Sequence, residues 1–193
     1  MMSSLIIVTG RPATGKSALA TALSLQLGIP LVSKDDIKET MADSLGSGDR
    51  SLSRKYGKAS FDIQFKILDR CLAANTSVIA ETYFHGELAR GAFERLIADH
   101  SCSVIQIVLR SDPDVIIQRF KDRNMRGERH SIHADSAVVP ELERALAAGE
   151  YNGVPIQCSP LVVDTTDFAS VNVGSICEFI RRYSVSWPLS RQE

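Results

Sequence analysis

Five short apolar runs punctuate the chain: LIIVT at Leu5 to Thr9, PLVS at Pro30 to Ser33, SVIAE at Ser77 to Glu81, SVIQIVL at Ser103 to Leu109 and LVVDT at Leu161 to Thr165. Rich in β-branched residues and too short for helices, they have the pattern of strands buried on both faces. Helical periodicity occupies the spaces between them, at about 16–27, 35–45, 52–74, 87–99, 113–124, 140–148 and 170–183, with Gly28 and Pro30 ending the first. In the third helix Leu52, Tyr56, Ala59, Ile63, Ile67 and Cys71 recur at helical spacing and are the expected core face. Strands alternating with helices predict a parallel five-stranded sheet inside a three-layer α/β/α sandwich.

Two stretches break the alternation. GSGDRS at 46–51 is short, whereas NMRGERHSIHADSAVV at 124–139 is polar and too long for a simple connection, so residues 119–139 are expected to form a lid. The 193 residues, 44% hydrophobic, fit a single domain spanning 1–193. A net charge of −1 provides no global attraction to nucleic acid or to an anionic membrane, so any basic footprint must be local. The first apolar run is far too short for a signal peptide or a membrane span, and a cytoplasmic protein is expected. Cys71, Cys102, Cys158 and Cys177 form no C-x-x-C pair and are expected to be reduced thiols.

The chemistry is most legible in GRPATGKS, residues 10–17, which follows the first strand and opens the first helix. Gly10, Gly15, Lys16 and Ser17 match the G-x-x-x-x-G-K-[ST] pattern of a phosphate loop. Glycines let successive backbone N–H groups turn inward on phosphate oxygens, aided by the positive end of the helix. Lys16 reaches the β- and γ-phosphates and the Ser17 hydroxyl can ligate Mg²⁺. The expected nucleotide-binding set is Gly10, Arg11, Pro12, Ala13, Thr14, Gly15, Lys16, Ser17 and Ala18, with ATP and Mg²⁺ as cofactors.

At the end of the second strand, SKDDIKE places Asp35 at the carboxyl edge of the sheet, where it can anchor or deprotonate an attacking hydroxyl. Its neighbour Asp36 fits a helix-capping role with Ser33. Glu81 ends the third strand at the same edge and is a candidate Mg²⁺ ligand, directly or through water. Arg50, Arg54 and Lys55 read as a solvated helix face. Between Arg119 and Arg129, five cations (Arg119, Lys121, Arg123, Arg126 and Arg129) face only Asp122 and Glu128, making the one local basic footprint. Guanidinium groups suit the charge of a transferring phosphoryl group, so Arg123 and Arg126 are candidate catalytic residues with Lys16 and Asp35. His130 and His133 have no third ligand nearby and are not expected to bind metal.

GRPATGKS, LGIPLVSKDDIKE, RNMRGERHSIHAD and LVVDTT together resemble the small P-loop kinases of the AAA_33 type. That group is similar to the kinase domain of polynucleotide kinase, to chloramphenicol phosphotransferase and, more distantly, to adenylate, shikimate and gluconate kinases. The resemblance implies the sheet order 2-3-1-4-5, Asp35 near an acceptor hydroxyl, Arg119 and Arg123 near adenine and phosphates, and Thr165 and Thr166 close to adenine. Ala13 stands where such loops often carry glycine, and Glu81 where relatives often carry aspartate. The expected activity is ATP-dependent transfer of the γ-phosphoryl group to a hydroxyl of a small molecule, without a nucleic-acid or membrane partner. The alternatives are a kinase of polynucleotide 5′-hydroxyls, for which Arg50, Arg54 and Lys55 are the sole hint of a track, and a P-loop ATPase or nucleotide switch transferring only to water.

Overall fold

The computed structural model describes residues 3–84, 86–127, 129–133, 139–149 and 151–184. Strands β1 (Ser4–Gly10), β2 (Leu31–Ser33), β3 (Val78–Glu81), β4 (Ser103–Arg110) and β5 (Leu161–Asp164) form one parallel sheet in the order β2-β3-β1-β4-β5. Helices α1 (Lys16–Leu27), α2 (Lys34–Leu45), α3 (Arg50–Ala73), α4 (Gly86–His100), α5 (Pro113–Met125), α6 (Val139–Ala147) and α7 (Val173–Tyr183) make the connections and outer layers.

The alternation of side chains along β1 explains the two cores. Leu5 and Ile7 point to one face and pack with Leu68, Leu72, Phe84 and Phe93 from the α3 and α4 side. Ile6 and Val8 point to the other and pack with Leu19, Leu23, Ile176 and Ile180 from α1 and α7. All four β1 side chains are fully buried, each contributing roughly 1.5–3 kcal/mol by leaving water. A central strand covered on both faces can therefore be apolar at every position.

Registers bring the functional positions level. Ser33 pairs with Glu81, which pairs with Val8, so the carboxyl ends of β2, β3 and β1 finish side by side beneath the phosphate loop. Ser33 also caps α2, its hydroxyl accepting the Asp36 N–H, while the Asp36 side chain itself is exposed. The acidic first turn of α2 is thus held by Ser33, which also bonds the Asp36 carboxylate.

Three expectations about packing need correction. The buried stripe of α3 is Ser53, Tyr56, Ser60, Gln64, Leu68 and Leu72, whereas Ile63 and Ile67 are 40% and 39% exposed. The stripe is rotated because buried polar groups on it find partners: the Gln64 amide donates to the carbonyls of Val32 and Glu81, and Ser53 accepts from Lys38. Hydrophobic periodicity cannot register such partners. The last expected helix is divided into a 3-10 turn at Phe168–Ser170 and α7, which Asn172 caps through the Ser175 N–H. Finally, β5 is an edge strand with Val162 45% exposed, so it is not buried on both faces.

Candidate active site

The phosphate loop joins β1 to α1, and its sequence is dictated by close approaches. A Cβ on Gly10 would lie 2.6 Å from the Leu109 carbonyl oxygen and 2.9 Å from Thr14 Oγ1. Gly15 precedes α1 in the left-handed region at φ 85°, and a Cβ there would meet the Phe168 ring at 2.5 Å. Ala13 also adopts a left-handed φ of 63°, a conformation that costs a residue with a side chain roughly 1–2 kcal/mol, partly offset because its methyl packs beside Ile116, Phe120 and Leu142. Gly15 gives α1 no side-chain cap, so the first-turn N–H groups of Lys16, Ser17 and Ala18 have no intrahelical partner and suit an anion.

Lys16 is half-buried and curls back to donate to the Arg11 carbonyl at 2.9 Å, an acceptor it shares with the Thr14 hydroxyl at 2.8 Å. Burial lowers its pKa, against the attraction of Glu81 and Asp35. Glu81, 2% exposed, accepts hydrogen bonds from Ser33 Oγ at 2.9 Å and Ser17 Oγ at 3.4 Å. Burial raises its carboxyl above the ordinary value while Lys16 pulls the other way. On Asp35, burial is outweighed chiefly by the positive charge of Arg129, with Lys34 and Lys16 adding to it, leaving its pKa below the usual carboxylate value. Arg129 makes the closest of these contacts, donating to Asp35 Oδ2 at 3.1 Å.

These groups enclose a cavity of about 350 Å³ whose walls include Pro12, Ala13, Lys16, Ser17, Lys34, Asp35, Glu81, Tyr83, Arg123 and Arg129. The arrangement can neutralise a polyphosphate and hold an oxygen nucleophile beside it. Arg123 leans over the Phe120 ring at 5.3 Å, a cation–π contact that aims the guanidinium inward. Arg126, expected beside it, is instead exposed at the C-cap of α5 and is not part of this wall. Arg126 keeps helical backbone and bonds the Asp122 carbonyl at 3.0 Å, but Gly127 then turns at φ 64°, and Arg129 beyond the turn enters the cavity.

Two further expected nucleotide-binding residues are engaged within the protein. Thr165 is fully buried with its hydroxyl donated to the Arg110 carbonyl at 2.8 Å, which leaves it no surface for a ligand. Arg119 donates to the Thr165 and Thr166 carbonyls at 2.8 and 2.9 Å, tying α5 to the end of β5. The Arg11 guanidinium donates to the Gly149 carbonyl and, with Thr14, borders a separate cavity of about 260 Å³ walled by Leu109, Ile116 and Tyr151.

Within the expected lid, Glu128 and residues 134–138 lie outside the described residues. The described stretch 129–133 docks along one face of α2, where Asp35, Glu39 and Asp43 are four residues apart: Arg129 meets Asp35, His133 meets Glu39 at 2.7 Å and His130 meets Asp43 at 3.0 Å. Ile132, 1% exposed, packs between Ala42 and Tyr56. Each histidine therefore meets a separate carboxylate, and among the described residues no three or more His, Cys, Asp or Glu side chains are grouped so as to hold a metal. The four cysteines are free thiols.

His133 predicts a pH response. Burial first, and then the Arg129 charge, push its pKa down to about 3, so the folded form resists a proton that the unfolded chain takes up near 6.5. A depressed imidazole pKa means stability is full above about pH 6.5 and lost as pH falls toward 3. The Tm of the wild type should fall more steeply from pH 7 to 5 than that of His133→Gln. Parallel slopes, or a wild type that gains stability in acid, would contradict this account of His133.

Sequence reasoning did not single out Arg129, Lys34 or Tyr83. Arg129 was visible as one of five cations in the basic stretch, but nothing local distinguishes it from Arg126. No helix among the described residues is long and apolar enough to cross a membrane.

A parallel 2-3-1-4-5 sheet with a phosphate loop after its central strand is the architecture of the small P-loop kinases, and this chain is one by fold. The AAA_33 family model, described as an AAA domain, matches residues 5–148, and the chain belongs to that family. A crystal structure of a protein from Chloroflexus aurantiacus J-10-fl, provisionally described as a kinase, is 32% identical with a TM-score of 0.85, covering 95% of this chain and 99% of that one. The cytidylate kinase of Sulfolobus acidocaldarius is 27% identical over 181 residues, 89% of this chain and 90% of that protein. Shikimate kinase from Bacteroides thetaiotaomicron, 15% identical with a TM-score of 0.52 and covering 94% of this chain and 98% of its own, shares the fold.

Proposed function

We propose that the protein transfers the γ-phosphoryl group of ATP to a hydroxyl of a small molecule. The observation that carries this reading is Asp35, a carboxylate held in the same cavity as Lys16, Ser17 and Glu81. The loop N–H groups and Lys16 would hold the β- and γ-phosphates. Ser17 Oγ and Glu81 Oε1, 3.4 Å apart, form an all-oxygen pair that fits adjacent positions around Mg²⁺. Bound there, the ion would neutralise charge on the β- and γ-oxygens.

Asp35 would accept a hydrogen bond from the acceptor hydroxyl, aim its oxygen at phosphorus and take its proton as the P–O bond forms. Its lowered pKa is compatible with this role, because in a loose transition state positioning matters more than basicity. Arg123 and Arg129 would stabilise the three equatorial oxygens of the transferring group. Arg123→Ala should therefore lower turnover by roughly 10²-fold or more with little change in Tm, whereas Arg126→Ala should leave turnover near that of the wild type. Steady-state ADP release and thermal melts would separate the two, and equal losses in both variants would return Arg126 to the site.

A second reading has a phosphate as acceptor. It is supported by the likeness to a cytidylate kinase and by Lys34, Arg123 and Arg129 around the cavity. Incubation with Mg²⁺-ATP and a panel of alcohols and nucleoside monophosphates, followed by ³¹P NMR, distinguishes the outcomes. ADP forms in every case: a new phosphomonoester beside it supports the hydroxyl acceptor, a diphosphate of the acceptor beside it supports the second reading, and only inorganic phosphate beside it with every acceptor overturns both in favour of an ATPase.

A further inference from the structure

Beside the phosphate cavity lies another of about 400 Å³, and the two share Lys34, Thr82 and Tyr83. Its remaining walls are Gly57, Phe61 and Phe84, with Lys58 and Asp62 at the rim, paired to each other at 2.7 Å. The two part-exposed rings each lean on another, Phe61 on Phe65 at 4.5 Å between centroids and Tyr83 on Tyr151 at 5.1 Å, while Phe84, 1% exposed, packs into the core against Phe93 at 4.8 Å. The Tyr151 hydroxyl is itself held, donating to the Phe84 carbonyl and bonded to Thr9 Oγ1. The ring walls are flat and preorganised, and the polar positions, Lys34, Thr82, Lys58 and Asp62, lie around them.

Gly57 adds an independent observation. Glycine in the interior of a helix is destabilising relative to alanine and needs a reason. Among the described residues none comes within 4 Å of a Cβ built at Gly57, so no packing neighbour demands it. The missing side chain instead leaves space on the cavity side of α3.

We infer that the acceptor is a ring-bearing small molecule, aromatic or heteroaromatic, whose flat body lies between Phe61 and Tyr83 over Gly57 while its reacting oxygen extends past Lys34 toward Asp35; calling it the acceptor rests on the kinase reading above. The volume suits the class, since on the order of 150 Å³ accommodates a benzene-sized ring and small-molecule sites begin near 300 Å³. A polyol fits less well: Lys34, Thr82, Lys58 and Asp62 could meet a few of its hydroxyls, but those laid against the faces of Phe61 and Tyr83 would be stripped of water without a partner. Lys58 and Asp62 at the rim supply one donor and one acceptor for ring heteroatoms.

The test is saturation-transfer NMR on the full chain with Mg²⁺ and a non-hydrolysable ATP analogue, using cytidine and tyrosol as ring probes and D-gluconate and glycerol as polyol probes. The ring probes should receive saturation and the polyols should not. Gly57→Leu should weaken ring-probe binding by roughly tenfold or more by filling the ring's space. Gly57→Ala should raise Tm by about 2–4 °C as a helix glycine is removed, yet still weaken the ring probes. Gly91→Ala, an exposed helix glycine in α4 with equally open surroundings, should raise Tm without touching ring binding. Gluconate binding in place of the ring probes, ring binding undiminished in Gly57→Leu, or no probe binding at all overturns the inference. Ring probes that bind but release no ADP from Mg²⁺-ATP overturn the kinase reading and leave the ring site standing.

Discussion

Asp35→Asn should lower phosphoryl transfer by roughly 10²- to 10⁴-fold, the contribution of a positioned general base, while Mg²⁺-ATP affinity stays within about threefold of the wild type. The amide keeps the size of the side chain but cannot take a proton or carry the charge that Arg129 holds at 3.1 Å. Because this ion pair is partly exposed, its loss should cost stability only on the order of 1 kcal/mol after solvent screening, visible as a small drop in Tm. Asp36→Asn is the internal control, since its exposed side chain lies one position away and the amide keeps an oxygen for the Ser33 hydroxyl and leaves the capping backbone N–H untouched. Single-turnover transfer and nucleotide titration on both variants make the comparison. Greater damage from Asp36→Asn would reverse the two assignments, and unaltered transfer in Asp35→Asn would favour an acceptor already ionised, such as a phosphate.

Lys16→Ala should weaken ATP binding or turnover by about tenfold or more, because each charge-assisted hydrogen bond lost to a phosphate costs roughly 1.5–3 kcal/mol. Lys16 is half-buried, and its ammonium is attracted by both Glu81 and Asp35. Removing it should deepen the electrostatic penalty on the incoming polyphosphate, so the loss ought to exceed that from Arg123→Ala when affinity for ATP is measured. Calorimetric titration with ATP and Mg²⁺ checks this, and affinity and turnover both unchanged would remove the phosphate loop from the mechanism.

What could be read in the chain follows from the range of the forces involved. The phosphate loop is contiguous, and strand and helix limits are set by side-chain alternation, caps and glycines a few residues apart, so Lys16–Leu27 and Pro113–Met125 coincide with their expected spans to within a residue. The parallel sandwich follows from the succession of elements, whereas its strand order came through the family resemblance. Asp35 and Glu81 could be placed at one sheet edge because every parallel strand ends on the same side.

Tertiary structure decided what depends on partners far away in sequence. Arg129 rather than Arg126 reaches the cavity because a turn at Gly127 redirects the chain onto a carboxylate 94 residues away. Gln64 displaces the isoleucine stripe of α3 because two strand-end carbonyls, 32 and 17 residues distant, need donors. Thr165 turns inward to Arg110, and the ring-lined space over Gly57 exists only where α3 and the end of β3 come together. Hydrophobic periodicity records how much apolar surface a segment must bury; which polar groups go down with it is settled by the hydrogen bonds the assembled fold can offer them.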